Sequence, residues 1–126
     1  MSIRYFTIEE ANTLLPTLKP LMAELLERRA KCAQQGRLVA ELLRQPHVDV
    51  GGPVLSELAA EFVVIERLLF KIRDTGCVVK SLEAGLVDFL AKIDGRDVYL
   101  CWRYGEESVA HYHDLHTGFQ GRQSLS

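Results

Sequence analysis

Three side chains able to do chemistry together fall on one row if the last third of the chain folds as consecutive hairpins: Asp88, Cys101 and His111. The row follows from Asp94-Gly95, a strong two-residue turn signal between two alternating runs. A two-residue turn there pairs Ile93 with Arg96, Lys92 with Asp97, Phe89 with Leu100, Asp88 with Cys101 and Val87 with Trp102. Because strand side chains alternate in direction, one face is then wholly apolar: Val87, Phe89, Ala91, Ile93, Val98, Leu100 and Trp102. The other face is mixed, with Leu86, Asp88, Leu90, Lys92, Asp97, Tyr99, Cys101 and Arg103. The next connection, through Gly105-Glu106-Glu107, fixes where the histidines go. A three-residue loop sets His111 across from Cys101 and His113 across from Tyr99. A loop one residue longer or shorter turns both imidazoles into the core beside Trp102, where each would need a buried polar partner. The three-residue register is therefore expected, with Arg103 and His113 diagonal to the row.

Three chemistries are open to such a face. A thiolate activated by imidazole and oriented by a carboxylate is a nucleophile arrangement. Cysteine, histidine and carboxylate are also zinc-ligand types. Arg103 with imidazoles could hold a small anion. The ordinary structural alternative is an Asp88–Arg103 surface ion pair, a small buried thiol and solvated histidines. His111, His113 and His116 form the one histidine cluster, without the paired-cysteine spacing of a zinc finger. Gly118-Phe119-Gln120-Gly121-Arg122 could aim amides and the Arg122 guanidinium at a phosphate, or Phe119 could pin the tail to the sheet.

The elements that must position these groups read clearly. Thr7-Ile8-Glu9-Glu10 is a capping box, and Phe6 and Ala11 sit where a hydrophobic staple closes. Pro16 is expected to end this first helix early, with a second start at Thr17 and Pro20 in its first turn. From Leu18 a heptad-like seam runs through Met22, Leu25, Arg29, Cys32, Gly36, Val39 and Leu43. Gln45 to Gly52 reads as a loop. Pro53 opens the next helix, whose seam is expected along Leu55, Leu58, Phe62, Ile65, Leu69 and Ile72, and Gly76 closes it. Val54, Val63, Val64, Leu68 and Phe70 are surplus apolar positions that the sheet or another subunit must cover. Strands are expected over Cys77–Lys80, Leu86–Ile93, Val98–Tyr104 and Val109–Leu115, with a glycine-rich tail lacking regular structure. The fold class is α+β: an N-terminal antiparallel helical hairpin followed by a three- to four-stranded antiparallel β-meander. One domain is expected over residues 1–126, the hairpin spanning about 8–75 and the meander with its tail about 77–126.

Composition restricts the function classes. The 126 residues are 25% charged and 48% hydrophobic, with net charge -2 and pI near 6.1. The basic excess of a dedicated nucleic-acid binder is missing. The short Arg28-Arg29-Lys31 run reads as a solvated helix face, so nucleic acid is an unfavoured partner. Three unpaired-looking cysteines, no signal peptide and no membrane-length apolar run together point to the reducing cytoplasm.

Phe6-Thr7-Ile8-Glu9-Glu10-Ala11-Asn12 with Leu14-Leu15-Pro16, then Gly85-Leu86-Val87-Asp88-Phe89, Leu100-Cys101-Trp102-Arg103-Tyr104-Gly105-Glu106, Tyr112-His113 and Gly118-Phe119-Gln120-Gly121-Arg122 occur in one order. In this the chain resembles the prokaryotic domain-of-unknown-function family 2203 over nearly its whole length. The resemblance implies that Asp88, Cys101, Trp102, Arg103, Glu106, His113, Gly118 and Arg122 are motif positions, while His111 and His116 are not. It implies no activity, and it moves the candidate site toward His113 with Asp88, Arg103 and Glu106. Ligand candidates are thus Asp88, Cys101, Arg103, Glu106, His113 and Arg122, with His113, Cys101 and Asp88 as ligands for zinc or another divalent metal. The leading expectation is an interaction module that homo-oligomerises through its helices. The alternative is a metal- or anion-binding protein, an enzyme included, using the polar face of the meander.

Overall fold

The computed structural model describes residues 3–45 and 52–125. Helices α1 (Ile8–Leu43) and α2 (Pro53–Asp74) are followed by strands β1 (Val78–Ser81), β2 (Leu86–Ile93), β3 (Arg96–Arg103), β4 (His111–Asp114) and β5 (Gln123–Ser124). The strands form one antiparallel sheet in chain order. A 3₁₀ turn, Phe119–Gly121, precedes β5. The tail is thus more regular than its glycines suggest, and the sheet has five strands, more than the expected three or four. Most of the expected 45–52 loop, residues 46–51, lies outside the described residues.

The Thr7–Glu10 capping box forms in both directions and opens α1. Contrary to expectation, α1 does not break at Pro16 but runs on through Pro16 and Pro20. The reason is tertiary. Ala11, Leu15, Leu18, Met22 and Leu25 step by four and three across both prolines, and all are buried in the shared core. Burying the last four of these contributes at most about 6–12 kcal/mol, against about 6 kcal/mol for two interior prolines.

Beyond Leu25 the expected seams hold only in part: Cys32, Val39, Leu58, Ile65 and Leu69 are half-buried and Ile72 is buried, but Arg29 is exposed. On α2, Leu55 and Phe62 are exposed, while Glu61 and Leu68 are buried. The cause is a polar pair in the seam. The Arg28 Nη1 donates to both carboxylate oxygens of Glu61 at 2.9 and 3.1 Å, and Lys31 Nζ lies 3.5 Å away. Arg28, not Arg29, therefore faces α2, and the basic run is partly an internal bridge. Gln35 reaching Glu57 extends the antiparallel order.

The β2–β3 register is the expected one, residue for residue. Asp94 (φ 52°) and Gly95 (φ 77°) both adopt the left-handed conformation that such a turn needs. The β3–β4 register is also as expected, although the ladder ends at the Cys101–His111 pair and leaves Trp102 and Arg103 without partners on β4. Residues 104–110 instead dock on α1. Asn12 exchanges hydrogen bonds with the Val109 backbone, and Lys19 Nζ donates to the Glu107 carbonyl. Val87, Phe89, Ala91, Val98, Leu100 and Trp102 are buried on the helix-facing side, which commits Asp88, Cys101 and His113 to the other side.

Candidate metal centre

Asp88 and Cys101 are direct cross-strand neighbours, and His113 lies diagonally across β3, opposite Tyr99. The diagonal histidine, not His111 in the same row, meets the carboxylate: His113 Nε2 is 2.9 Å from Asp88 Oδ2. His111 instead turns toward Glu106, with Nδ1 3.8 Å from Oε2. Although this is the sheet's outer face, Asp88, Cys101 and His113 are only 1%, 1% and 3% exposed.

The chain after β4 covers them. Leu115, His116, Gly118 and Phe119, with Lys80 and Leu86, surround the three groups and leave a cavity of about 230 Å³. Two devices hold this cover in place. Arg122 grips Glu106 through two hydrogen bonds of 3.1 and 2.7 Å and stacks its guanidinium over Phe119. The Leu125 amide donates to Ala110, continuing the pairing of β5 with β4.

Protons can be assigned from the partners. His113 Nδ1 is 2.7 Å from the Asp114 carbonyl. A carbonyl only accepts, so Nδ1 carries hydrogen. The short Nε2–Oδ2 contact then needs one further proton shared between imidazole and carboxylate. Burial pushes the Asp88 carboxyl up, and its attraction to His113 works against that push. The Cys101 thiol is pushed up to about 12, first by burial and then by the Asp88 charge, with Arg122 opposing. A nucleophilic cysteine needs the opposite shift, so the thiolate-nucleophile option loses its physical basis here.

The same set suits a metal ion. One ligand atom from each of Asp88, Cys101 and His113 lies within 4.8 Å of the others, the one such group of three among the described residues. A tetrahedral zinc ion would set these atoms about 3.3–3.6 Å apart, from its usual Zn–S, Zn–N and Zn–O lengths. The Nε2–Oδ2 pair then opens by a few tenths of an ångström.

Of the sequence-predicted residues, Asp88, Cys101 and His113 come together. Glu106 and Arg122 form their own pair beside them. In Glu106, burial works against the charge, but hydrogen bonds from Arg122 and the Arg103 amide outweigh it, and the carboxyl falls below its usual range. The Arg103 side chain is exposed, 5.8 Å from the centre of the Phe119 ring, and is no part of the cluster. Sequence reasoning missed Lys80. It sits at an irregularity of β1, between Val79 and Ser81, that no local sequence signal marks.

Residues 4–125 match the family described as "Uncharacterized conserved protein (DUF2203)". The chain belongs to that family. The motif resemblance read from the sequence thus holds over almost the full length, and the family description names no activity. The chain matches neither a curated protein nor a solved structure. Among the described residues no helix is long and apolar enough to cross a membrane.

Proposed function

We propose that this member of the family binds a divalent metal ion, zinc by ligand chemistry, through Asp88 Oδ2, Cys101 Sγ and His113 Nε2. The observation that carries this reading is the orientation of His113. Its Nδ1–H is spent on the Asp114 carbonyl, which aims Nε2 at the point shared by a buried carboxylate and a buried thiol. Metal-ligating histidines are commonly fixed in this way by a carbonyl on the other nitrogen. Three protein ligands beside a cavity are the pattern of a zinc site with one open position. All three cysteines are free, which suits a thiol ligand kept reduced in the cytoplasm. Elemental analysis of untagged protein after zinc loading and desalting is expected to give one zinc per chain. The folded His113→Gln variant is expected to give none. Equal zinc in both proteins would refute the assignment.

A second reading, self-association through α2, has separate support. Phe62, Val63 and Phe70 are 57%, 48% and 72% exposed on one side of the helix, around Glu66 and Arg67. Among the described residues neither of these charges has an ion-pair partner within the chain. In an antiparallel pairing of two copies with the axis between positions 66 and 67, Glu66 meets the partner's Arg67 and Val63 meets the partner's Phe70. Sedimentation is expected to show a dimer that Phe70→Glu converts to monomer. A wild-type monomer at micromolar concentration would remove this reading.

A further inference from the structure

We infer that the open position of the metal takes a small carboxylate monoanion, one oxygen on the metal and the other toward the Lys80 ammonium. This rests on the metal reading above. Three observations carry it beyond that reading.

The first is charge. A divalent ion is balanced by the Asp88 carboxylate and a Cys101 thiolate, with His113 neutral. The Arg122 guanidinium is already balanced by Glu106. Lys80 then contributes one positive charge to the cavity wall, and among the described residues it has no carboxylate within ion-pair distance. One surplus positive charge selects a monoanion over a phosphate dianion or a cation.

The second is placement. Lys80 Nζ lies 4.4 Å from the centre of the Tyr99 ring, and that ring is 5.6 Å from the His113 imidazole. Lys80 is exposed, and its ammonium contacts the Tyr99 ring at the solvent side of the cavity wall.

The third is size and lining. About 230 Å³ is below the range of about 300–1,000 Å³ usual for drug-sized ligands, which limits the occupant to a small molecule. Leu86, Leu115 and Phe119 offer apolar wall for a short hydrocarbon chain.

The test uses calorimetric titration of the zinc-loaded full chain with butyrate, acetate and inorganic phosphate. Butyrate is expected to bind one per chain, acetate roughly tenfold more weakly for want of two methylenes, and phosphate more weakly than butyrate. Metal-free protein is expected to bind none of them. Lys80→Met is expected to weaken butyrate about tenfold while leaving zinc stoichiometry and melting temperature unchanged. Stoichiometric zinc with no butyrate binding, with phosphate preferred, or with Lys80→Met indistinguishable from wild type would overturn this inference while sparing the metal site. Protein that takes up no zinc would overturn both.

Discussion

Lowering the pH from about 7.5 to about 6.5 is expected to weaken zinc binding at least about tenfold, because protons must leave for the metal ion to enter. One is the thiol proton of Cys101, whose titration lies near 12 in the metal-free protein. The other is the proton that the 2.9 Å contact between His113 Nε2 and Asp88 Oδ2 requires. The hydrogen on His113 Nδ1 stays, since the Asp114 carbonyl accepts it in both states. The thiol proton alone contributes a factor of ten per pH unit, about 1.4 kcal/mol, and the proton of the pair adds to it. Zinc titrations at each pH, run in two buffers of different ionisation enthalpy, give the slope and the proton count independently. A count near two supports the assignment. A count below one would mean that the thiol is not a ligand, and the reasoning fails.

Other perturbations test the frame around the site. Gly85→Ala forces an L side chain into φ +67° with its Cβ about 2.8 Å from the Tyr104 Cβ, and about 1–3 kcal/mol of stability should be lost; a melting temperature equal to wild type would contradict this. Arg122→Met should cost about 1–2 kcal/mol and speed proteolysis after Asp114, since it removes the two charge-assisted bonds to Glu106 that hold the cover. Glu106 has a lowered folded pKa, so its contribution is present above the usual carboxylate range and is lost as pH falls through the folded value. The difference between wild type and Arg122→Met should therefore shrink below about pH 4, and a difference independent of pH would count against the pair. For Cys101 the raised pKa means stabilisation that is fully present below the ordinary value of 9.0 and lost as pH rises toward about 12. Urea unfolding of metal-free protein at about pH 8 and about pH 10 should show a larger loss for wild type than for Cys101→Ala, and equal losses would contradict the burial argument.

The sheet was legible because one local signal, Asp94-Gly95, set the register and a period of two then assigned every side chain to a face. The β3–β4 register was legible by a burial argument, since the alternative put two imidazoles beside Trp102. What escaped was set by three-dimensional relations with no local code. Register placed His111 beside Cys101, yet the diagonal position brings His113, not His111, to Asp88. The α2 seam was misread at Leu55 and Phe62, because a charged Glu61 occupies a buried seam position, acceptable only through Arg28 on the other helix. Pro16 looked like a stop because the cost of proline is local, whereas the burial of Leu15, Leu18, Met22 and Leu25 that outweighs it depends on the sheet. The cavity could not be read at all: it exists because Arg122 and Glu106 fold the tail over a face that pleating alone leaves open to water.

Cobalt substitution tests the central assignment most directly, because the spectrum of the bound ion reports both a sulfur ligand and four-coordinate geometry. Wild-type protein with one equivalent of cobalt is expected to show an intense thiolate charge-transfer band and strong tetrahedral ligand-field bands. Both features should disappear in a folded Cys101→Ser variant that still contains Cys32 and Cys77. A wild-type spectrum of the weak octahedral type, or an intense one that survives removal of the Cys101 sulfur, would contradict a metal centre built from Asp88, Cys101 and His113.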